Sequence, residues 1–113
     1  MNNLRNKVSL IGRLGAEPEV TTVDKGRKMA RFSIAVNADY RSKAGEIVKD
    51  TQWHTVNAWG PQADLVARLL QKGQEIMIEG RLMNRSYETK TGEKRYTTNI
   101  DLTEFLLIGS RPA

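Results

Sequence analysis

Four stretches of this chain alternate apolar and polar residues, a fifth keeps the pattern in its apolar positions, and one stretch between the third and fourth changes to helical spacing. Over residues 7–14, Val8, Leu10, Gly12 and Leu14 share one parity while Lys7, Ser9 and Arg13 take the other, the pattern of a half-buried strand. Gly12 and Gly15 punctuate it, as glycines do where a strand bends. Residues 20–23 read as a continuation of that strand around the bend. Residues 29–37 alternate again, with Ala30, Phe32, Ile34 and Val36 on one face. A polar segment, 38–52, is too long for a tight turn and reads as a protruding loop or flexible hairpin. Residues 53–59 form the third strand, 75–85 the fourth and 96–108 the fifth, the last with Ile100, Leu102, Leu106 and Ile108 on one parity.

Between strands three and four, Gly60-Pro61 opens a helix, since proline at the first helical position forgoes no hydrogen bond. Asp64 supplies negative charge near its start. Leu65, Val66, Leu69 and Leu70 form its apolar stripe, and Lys72 and Gly73 read as its last turn and left-handed end. The order β-β-β-α-β-β fits an all-β chain, a five-stranded Greek-key barrel of the OB type with one helix between strands 3 and 4. The expected division is one domain over residues 1–109 and a short tail over 110–113.

Composition narrows the function. With no cysteine, disulfide scaffolds, thiolate metal sites and cysteine nucleophiles are excluded. His54 is the single histidine, so multi-histidine metal sites are excluded as well. No phosphate-loop pattern follows Gly12-Arg13-Leu14-Gly15, and no Gly-x-Ser-x-Gly accompanies His54. Glu17 and Glu19 flank a proline in a turn and read as solvated. The expectation is a non-enzyme with no metal and no cofactor. No run approaches the roughly 20 apolar residues of a membrane span, and residues 1–5 lack the apolar core of a secretory signal. The net charge of +5 points to an anionic partner.

The seven aromatics narrow it further. Phe32 shares parity with core positions, and Phe105 in the last strand reads as structural. Trp53 and Trp59 lie six apart on one strand face, in the company of Thr55 and Asn57. A core face would not carry that company, whereas a nucleobase would supply a stacking partner. The competing reading has both indoles capping the barrel. Tyr40 lies beside Arg41 and Lys43 in the long loop; Tyr87 lies among Arg85, Lys90, Lys94 and Arg95 in the last hairpin. Rings interleaved with cations suit a single-strand groove, the ring stacking bases while the cations track phosphates. Solvated hairpins with incidental tyrosines are the competing reading. Lys25, Arg27, Lys28 and Arg31 extend the basic path, although alone such a run reads as a solvated face. His54 faces away from the tryptophans and reads as a hydrogen-bonded structural or interface histidine.

At these residues the chain resembles the bacterial single-stranded DNA-binding protein (SSB) family. The matching stretches are Asn6-Lys7-Val8 through Gly12-Arg13-Leu14-Gly15, Pro18-Glu19-Val20, Ala30-Arg31-Phe32-Ser33-Ile34-Ala35-Val36-Asn37 and Trp53-His54-Thr55-Val56. They continue with Leu69-Leu70-Gln71-Lys72-Gly73, Ile78-Glu79-Gly80-Arg81-Leu82, Arg85-Ser86-Tyr87 and Gly92-Glu93-Lys94-Arg95-Tyr96-Thr97-Thr98. None is specific alone; the ordered set is. The resemblance implies sequence-tolerant binding of single-stranded DNA in replication, recombination and repair, no catalysis, a homotetramer, and a cytoplasmic location at the bacterial nucleoid. It places base-stacking aromatics at Tyr40, Trp53, Trp59 and Tyr87. It implies positions near the DNA path for Lys7, Arg31 and the basic residues of the last hairpin, and a subunit contact for His54. Tyr40 and Tyr87 stand where the family commonly has tryptophan.

One departure concerns partners. Most members continue into a flexible tail with an acidic tip that recruits replication and repair proteins, whereas this chain stops at Ser110-Arg111-Pro112-Ala113. The expectation is a short paralogue or a truncated form, with recruitment through an acidic tip in doubt. Three other readings stay open: an OB-fold RNA chaperone, distinguished by preference for RNA; a primosome accessory protein; and an interaction protein whose tryptophans bind a partner surface.

Overall fold

The computed structural model describes residues 5–23 and 26–108. Its elements follow in the order β1 (Val8–Leu14), β2 (Glu19–Thr22), β3 (Lys28–Asn37), β4 (Tyr40–Arg41), β5 (Ile47–Val48), β6 (Thr51–Trp59), α1 (Pro61–Leu69), β7 (Glu75–Glu88) and β8 (Lys94–Leu107). The tail expected over 110–113 lies outside the described residues.

β4 and β5 form a separate small hairpin. The other strands make one sheet in the order β1-β7-β8-β6-β3-β2, and β1 pairs with β3 as well. That additional pairing turns the sheet into a ring. β6 and β8 run parallel through Val56–Ile100 and Asn57–Asp101, while the other pairs are antiparallel. This is the OB-type barrel expected from the alternation, with the helix between its third and fourth principal strands. β2 is a strand of its own rather than a continuation of β1. Both nonetheless pair with the same strand, Leu14 opposite Ile34 and Glu19 opposite Arg31.

The inward residues match the alternation over most of the barrel. Leu14, Ala30, Phe32, Ile34, Val56, Ala58, Ile76, Ile78, Ile100 and Leu102 are buried in one cluster. Ile34, Ile76, Ile78 and Ile100 are fully buried, each worth about 1.5–3 kcal/mol relative to exposure.

The last strand departs from its expected parity. Glu79 opposes Glu104 but Gly80 opposes Leu102, so Thr103 is an unpaired extra residue, a β-bulge. One added residue reverses which side chains point inward. Phe105 and Leu107 therefore pack against the core, whereas Leu106 and Ile108, expected inward, are exposed. The bulge carbonyl accepts a 2.7 Å hydrogen bond from Gln62 Nε2, which ties the helix to the strand.

The helix also differs from its expected face. Ala63, Val66 and Leu70 are buried, while Leu65 is exposed and Leu69 half-buried. Val66 and Leu70 follow Ala63 at helical spacing, so the small alanine side chain shares the contact where the helix lies against β3 and β6. Gly60 precedes it at φ 63, where a side chain would be strained, and its N–H donates to the Lys28 carbonyl at 3.0 Å. The helix ends earlier than expected: Leu70 is already extended, and the basic residue of the last turn is Arg68, not Lys72. Gly73, with φ 85, serves a turn after the helix and donates to the Leu14 carbonyl at 2.9 Å.

β7 and β8 are 14 residues each, longer at the hairpin end than alternation indicates. They carry the ladder to Glu88–Lys94, with the turn closed by Thr89 N–H to Glu93 O at 2.8 Å. Leu82, inside the strand expected over 75–85, is exposed although its parity matched the core. No helix among the described residues is long and apolar enough to cross a membrane.

A Cβ on Gly80 would collide with the backbone carbonyl oxygen of Asp101 and with Ile100 Cγ2 at 2.7 Å. Gly80→Ala is expected to destabilise the fold by about 1–3 kcal/mol, read as a lowered urea midpoint; an unchanged midpoint would contradict this packing.

Candidate nucleic-acid interface

The barrel's outward face on β3 and β6 is built in rows. Met29 opposes Trp59, Arg31 opposes Asn57, Ser33 opposes Thr55 and Ala35 opposes Trp53. Directly opposed residues share a face, and Phe32, Ile34, Val56 and Ala58 hold the inward one. Both tryptophans thus look outward, and neither belongs to the buried core cluster.

Their settings differ. Trp53 is 60% exposed. Its ring lies over Gly15, where a Cβ would stand 2.5 Å from Cζ3, so the bend glycine of the first strand provides the bed for this indole. Trp59 is half-buried, and the Arg27 guanidinium carbon sits 4.6 Å from its ring centroid. Such a cation–π contact is worth about 0.5–1 kcal/mol at an exposed site.

Beside the tryptophans lies a groove of about 540 Å³ lined by Arg31, Thr55, Arg85, Ser86, Thr97 and Asn99. Arg31 Nε donates to Asn57 Oδ1 at 3.2 Å, and Asn57 is buried. Arg85 Nη2 reaches both carboxylate oxygens of Asp101, at 3.5 and 3.3 Å. Arg85 Nη1 is buried with no hydrogen-bond partner among the described residues. The groove therefore holds two guanidiniums against one carboxylate, together with neutral donors and acceptors from Thr55, Thr97 and Asn99.

The remaining candidates surround this face or stand apart from it. Tyr40, Arg41 and Lys43 are exposed on the β4–β5 hairpin. Lys90 is exposed at the tip of the β7–β8 hairpin, and Lys94 and Arg95 on its returning strand. Arg95 is paired with Glu93 at 3.4 Å. Tyr87 holds the strand position opposite Arg95; its side chain lies outside the described residues. Lys7 pairs with Glu79 at 3.7 Å and is not among the groove residues. His54 opposes Ile34 on the inward parity and is half-buried. Among the described residues, no three His, Asp or Glu side chains are grouped as a metal site would require.

Several lining residues escape a reading of the sequence alone. Thr97 and Asn99 continue the alternation of Arg95 along β8, a signal hidden when the strand is started at residue 96. Tyr96, on β8 opposite Ser86, is an exposed aromatic. The Arg27–Trp59 contact joins two segments distant in the chain and has no signature in spacing.

A family model described as the single-strand binding protein family matches residues 5–108. The chain belongs to that family. It is 38% identical over 107 residues to single-stranded DNA-binding protein 1 of Chlorobaculum tepidum, covering 94% of this chain and 66% of the relative. It is 35% identical over 106 residues to a single-stranded DNA-binding protein of Neisseria meningitidis, covering 94% and 61%. The chain thus spans less than two thirds of the length of these curated relatives. Among solved structures, a Plasmodium falciparum SSB complex with ssDNA superposes with a TM-score of 0.84 at 31% identity, covering 92% of this chain and 95% of that one. Family membership agrees with the resemblance carried by the motif order.

The contact between Gly15 and Trp53 can be tested directly. A methyl at Gly15 meets the far end of a movable side chain, so the ring shifts rather than the barrel. Gly15→Ala is expected to change the tryptophan emission maximum while lowering the melting temperature by less than about 5 °C. An unchanged spectrum would separate the ring from this glycine.

Proposed function

We propose that the chain is a sequence-tolerant single-stranded DNA-binding protein that covers exposed strands in replication, recombination and repair and catalyses nothing. The observation that carries this reading is the open Trp53 indole beside a groove walled by Arg31 and Arg85, on a sheet face that also carries Ser33, Thr55 and Asn57. An unpaired base offers a π-face that a duplex hides in its stack, and stacking is worth about 1–3 kcal/mol per base by alanine substitution. Trp53, Trp59, Tyr40 and Tyr87 are the proposed stacking positions. Arg31, Arg41, Lys43, Arg85, Lys90, Lys94 and Arg95 are the proposed phosphate contacts. Lys7 is a further one, which would exchange its pairing with Glu79 for a phosphate. Membership of the family, and the solved SSB complex with ssDNA, support the same reading.

The proposed assembly is a homotetramer in the bacterial cytoplasm, at the nucleoid. Two surfaces support self-association. β1 pairs with β3 only through Arg13 and Leu14, so one edge of its first five residues has no partner among the described residues. Ile11, Met77 and Leu106 oppose one another in a row across β1, β7 and β8, and all three are exposed, Leu106 at 64%. Contiguous apolar surface of this kind marks an interface. His54, in the row Leu14–Ile34–His54, is proposed at a subunit contact.

Titration with oligo(dT), oligo(U) and a matched duplex, followed by tryptophan fluorescence at two salt concentrations, tests the binding. Strong quenching by oligo(dT) with weaker responses to the others is expected; a stronger response to oligo(U) would favour an RNA chaperone. Trp53→Ala should weaken oligo(dT) binding at least tenfold with the melting temperature preserved, and intact affinity would sink the stacking model. Charge reversal at Lys94 and Arg95 should flatten the salt dependence, by about 0.7 in slope for each phosphate no longer neutralised. His54→Asp should lower the mass seen by light scattering; an unchanged mass would remove His54 from the interface.

A further inference from the structure

Arg27 and Trp59 make the one cation–π contact among the described residues, so a cation already occupies a stacking surface of the proposed DNA face. The neighbouring Lys28 is held by Asp64 of the helix, Nζ to Oδ1 at 3.4 Å. Arg27 has no such anchor: among the described residues no carboxylate lies within ion-pairing distance of it. Its side chain is exposed, and its guanidinium rests on the indole. Trp59 shares its face with Trp53, at the opposite end of the same strand. One indole is therefore open in the free chain and the other is capped.

Resting on the single-stranded DNA reading, we infer that Arg27 is a DNA contact handed over on binding. In the free chain it caps Trp59; when a base takes the indole face, the guanidinium moves onto the adjoining phosphate. A stacked base outweighs an exposed cation–π contact, so the ring is surrendered to the base. Every base arrives with its own phosphate, which gives the displaced guanidinium a charge-assisted partner it lacks in the free chain. The side chain also has room to move. It borders a cleft of about 340 Å³ shared with Gly26, Lys28, Gly60, Pro61 and Asp64, so it can leave the ring while staying on the surface. The cap keeps a broad apolar ring covered until a strand arrives, and its release adds one phosphate contact at that moment.

The test uses the full chain with Trp53→Phe, which leaves Trp59 as the only tryptophan. That protein and its Arg27→Ala and Arg27→Lys derivatives are titrated with oligo(dT) across a series of salt concentrations, following Trp59 emission. With Arg27 present, Trp59 should be quenched on binding, which reports a base on the ring. In Arg27→Ala the quench should persist while the salt slope becomes shallower by about 0.7, one phosphate fewer on a single strand. Arg27→Lys should retain the slope, because the charge is kept, yet change the emission of the free protein, because the planar cap is removed. An Arg27→Ala slope equal to that of its parent would overturn the hand-over. So would a quench seen only after Arg27 is removed, which would mean that the cap excludes the base. Failure of the unaltered chain to bind oligo(dT) would instead defeat the single-stranded DNA reading itself, and the hand-over with it.

Discussion

Ring closure at β1 is the constraint on which the rest of the molecule depends. β1 pairs along its length with β7 and then, through Arg13 and Leu14, with β3. At Gly12 the two strands come so close that an added Cβ would stand 2.6 Å from the Ala35 carbonyl oxygen. A sheet left open there would have no enclosed interior for Leu14, Ile34, Ile76 and Ile78 to fill, and so no reason for inward and outward residues to segregate. The same closure carries the chain past Gly15 at the point where Trp53 needs a flat bed. Closure of the core and support of the exposed Trp53 indole thus meet at the end of β1.

The outward face follows from that segregation. Once Phe32, Ile34, Val56 and Ala58 are committed inward, alternation delivers Arg31, Ser33, Thr55, Asn57 and both tryptophans outward, at every second residue. Asn57 is the exception that stabilises the set: although on the outward parity, it is buried and holds Arg31 at its Nε. Across the sheet Asp101 holds Arg85 in the same manner. Each arginine of the groove is thereby steadied by a neighbour while retaining further donors, so less side-chain freedom is given up when a ligand arrives.

Much of this is legible in the sequence because strand parity is a local property. Phe32 in the core, the outward pair Trp53 and Trp59, and the helix after Gly60-Pro61 all follow from spacing. What escapes depends on contacts between distant segments. Leu106 and Phe105 exchange faces because of an unpaired residue at 103, and no spacing within β8 announces a bulge that exists only relative to β7. Leu65 and Leu69 outweigh Ala63 in hydropathy, yet Ala63, with Val66 and Leu70, is the residue buried where the helix meets β3 and β6. Gly73 carries the signal of a helix end but is used one turn later, where its N–H meets the Leu14 carbonyl of β1. Thr97 and Asn99 read as ordinary polar strand residues, and only the neighbouring Arg31 and Arg85 make them part of a groove.

The bulge at Thr103 has a consequence for how such a chain can change. Because the phase of β8 shifts at one residue, the apolar positions on either side of it answer to different demands. Ile100 and Leu102 are bound to the interior, whereas Leu106, two strands from Ile11, is free to vary with whatever lies against the outside. Substitution there leaves the packing of the barrel's interior untouched. Deletion of the single extra residue would leave Glu104 beside Leu102 in an unbroken ladder, with Phe105 still inward opposite Ile78 and Leu106 still outward opposite Met77, and would withdraw the carbonyl that Gln62 grips. One backbone insertion thus lets Leu102 and Phe105, of opposite parity in the sequence, both serve the interior.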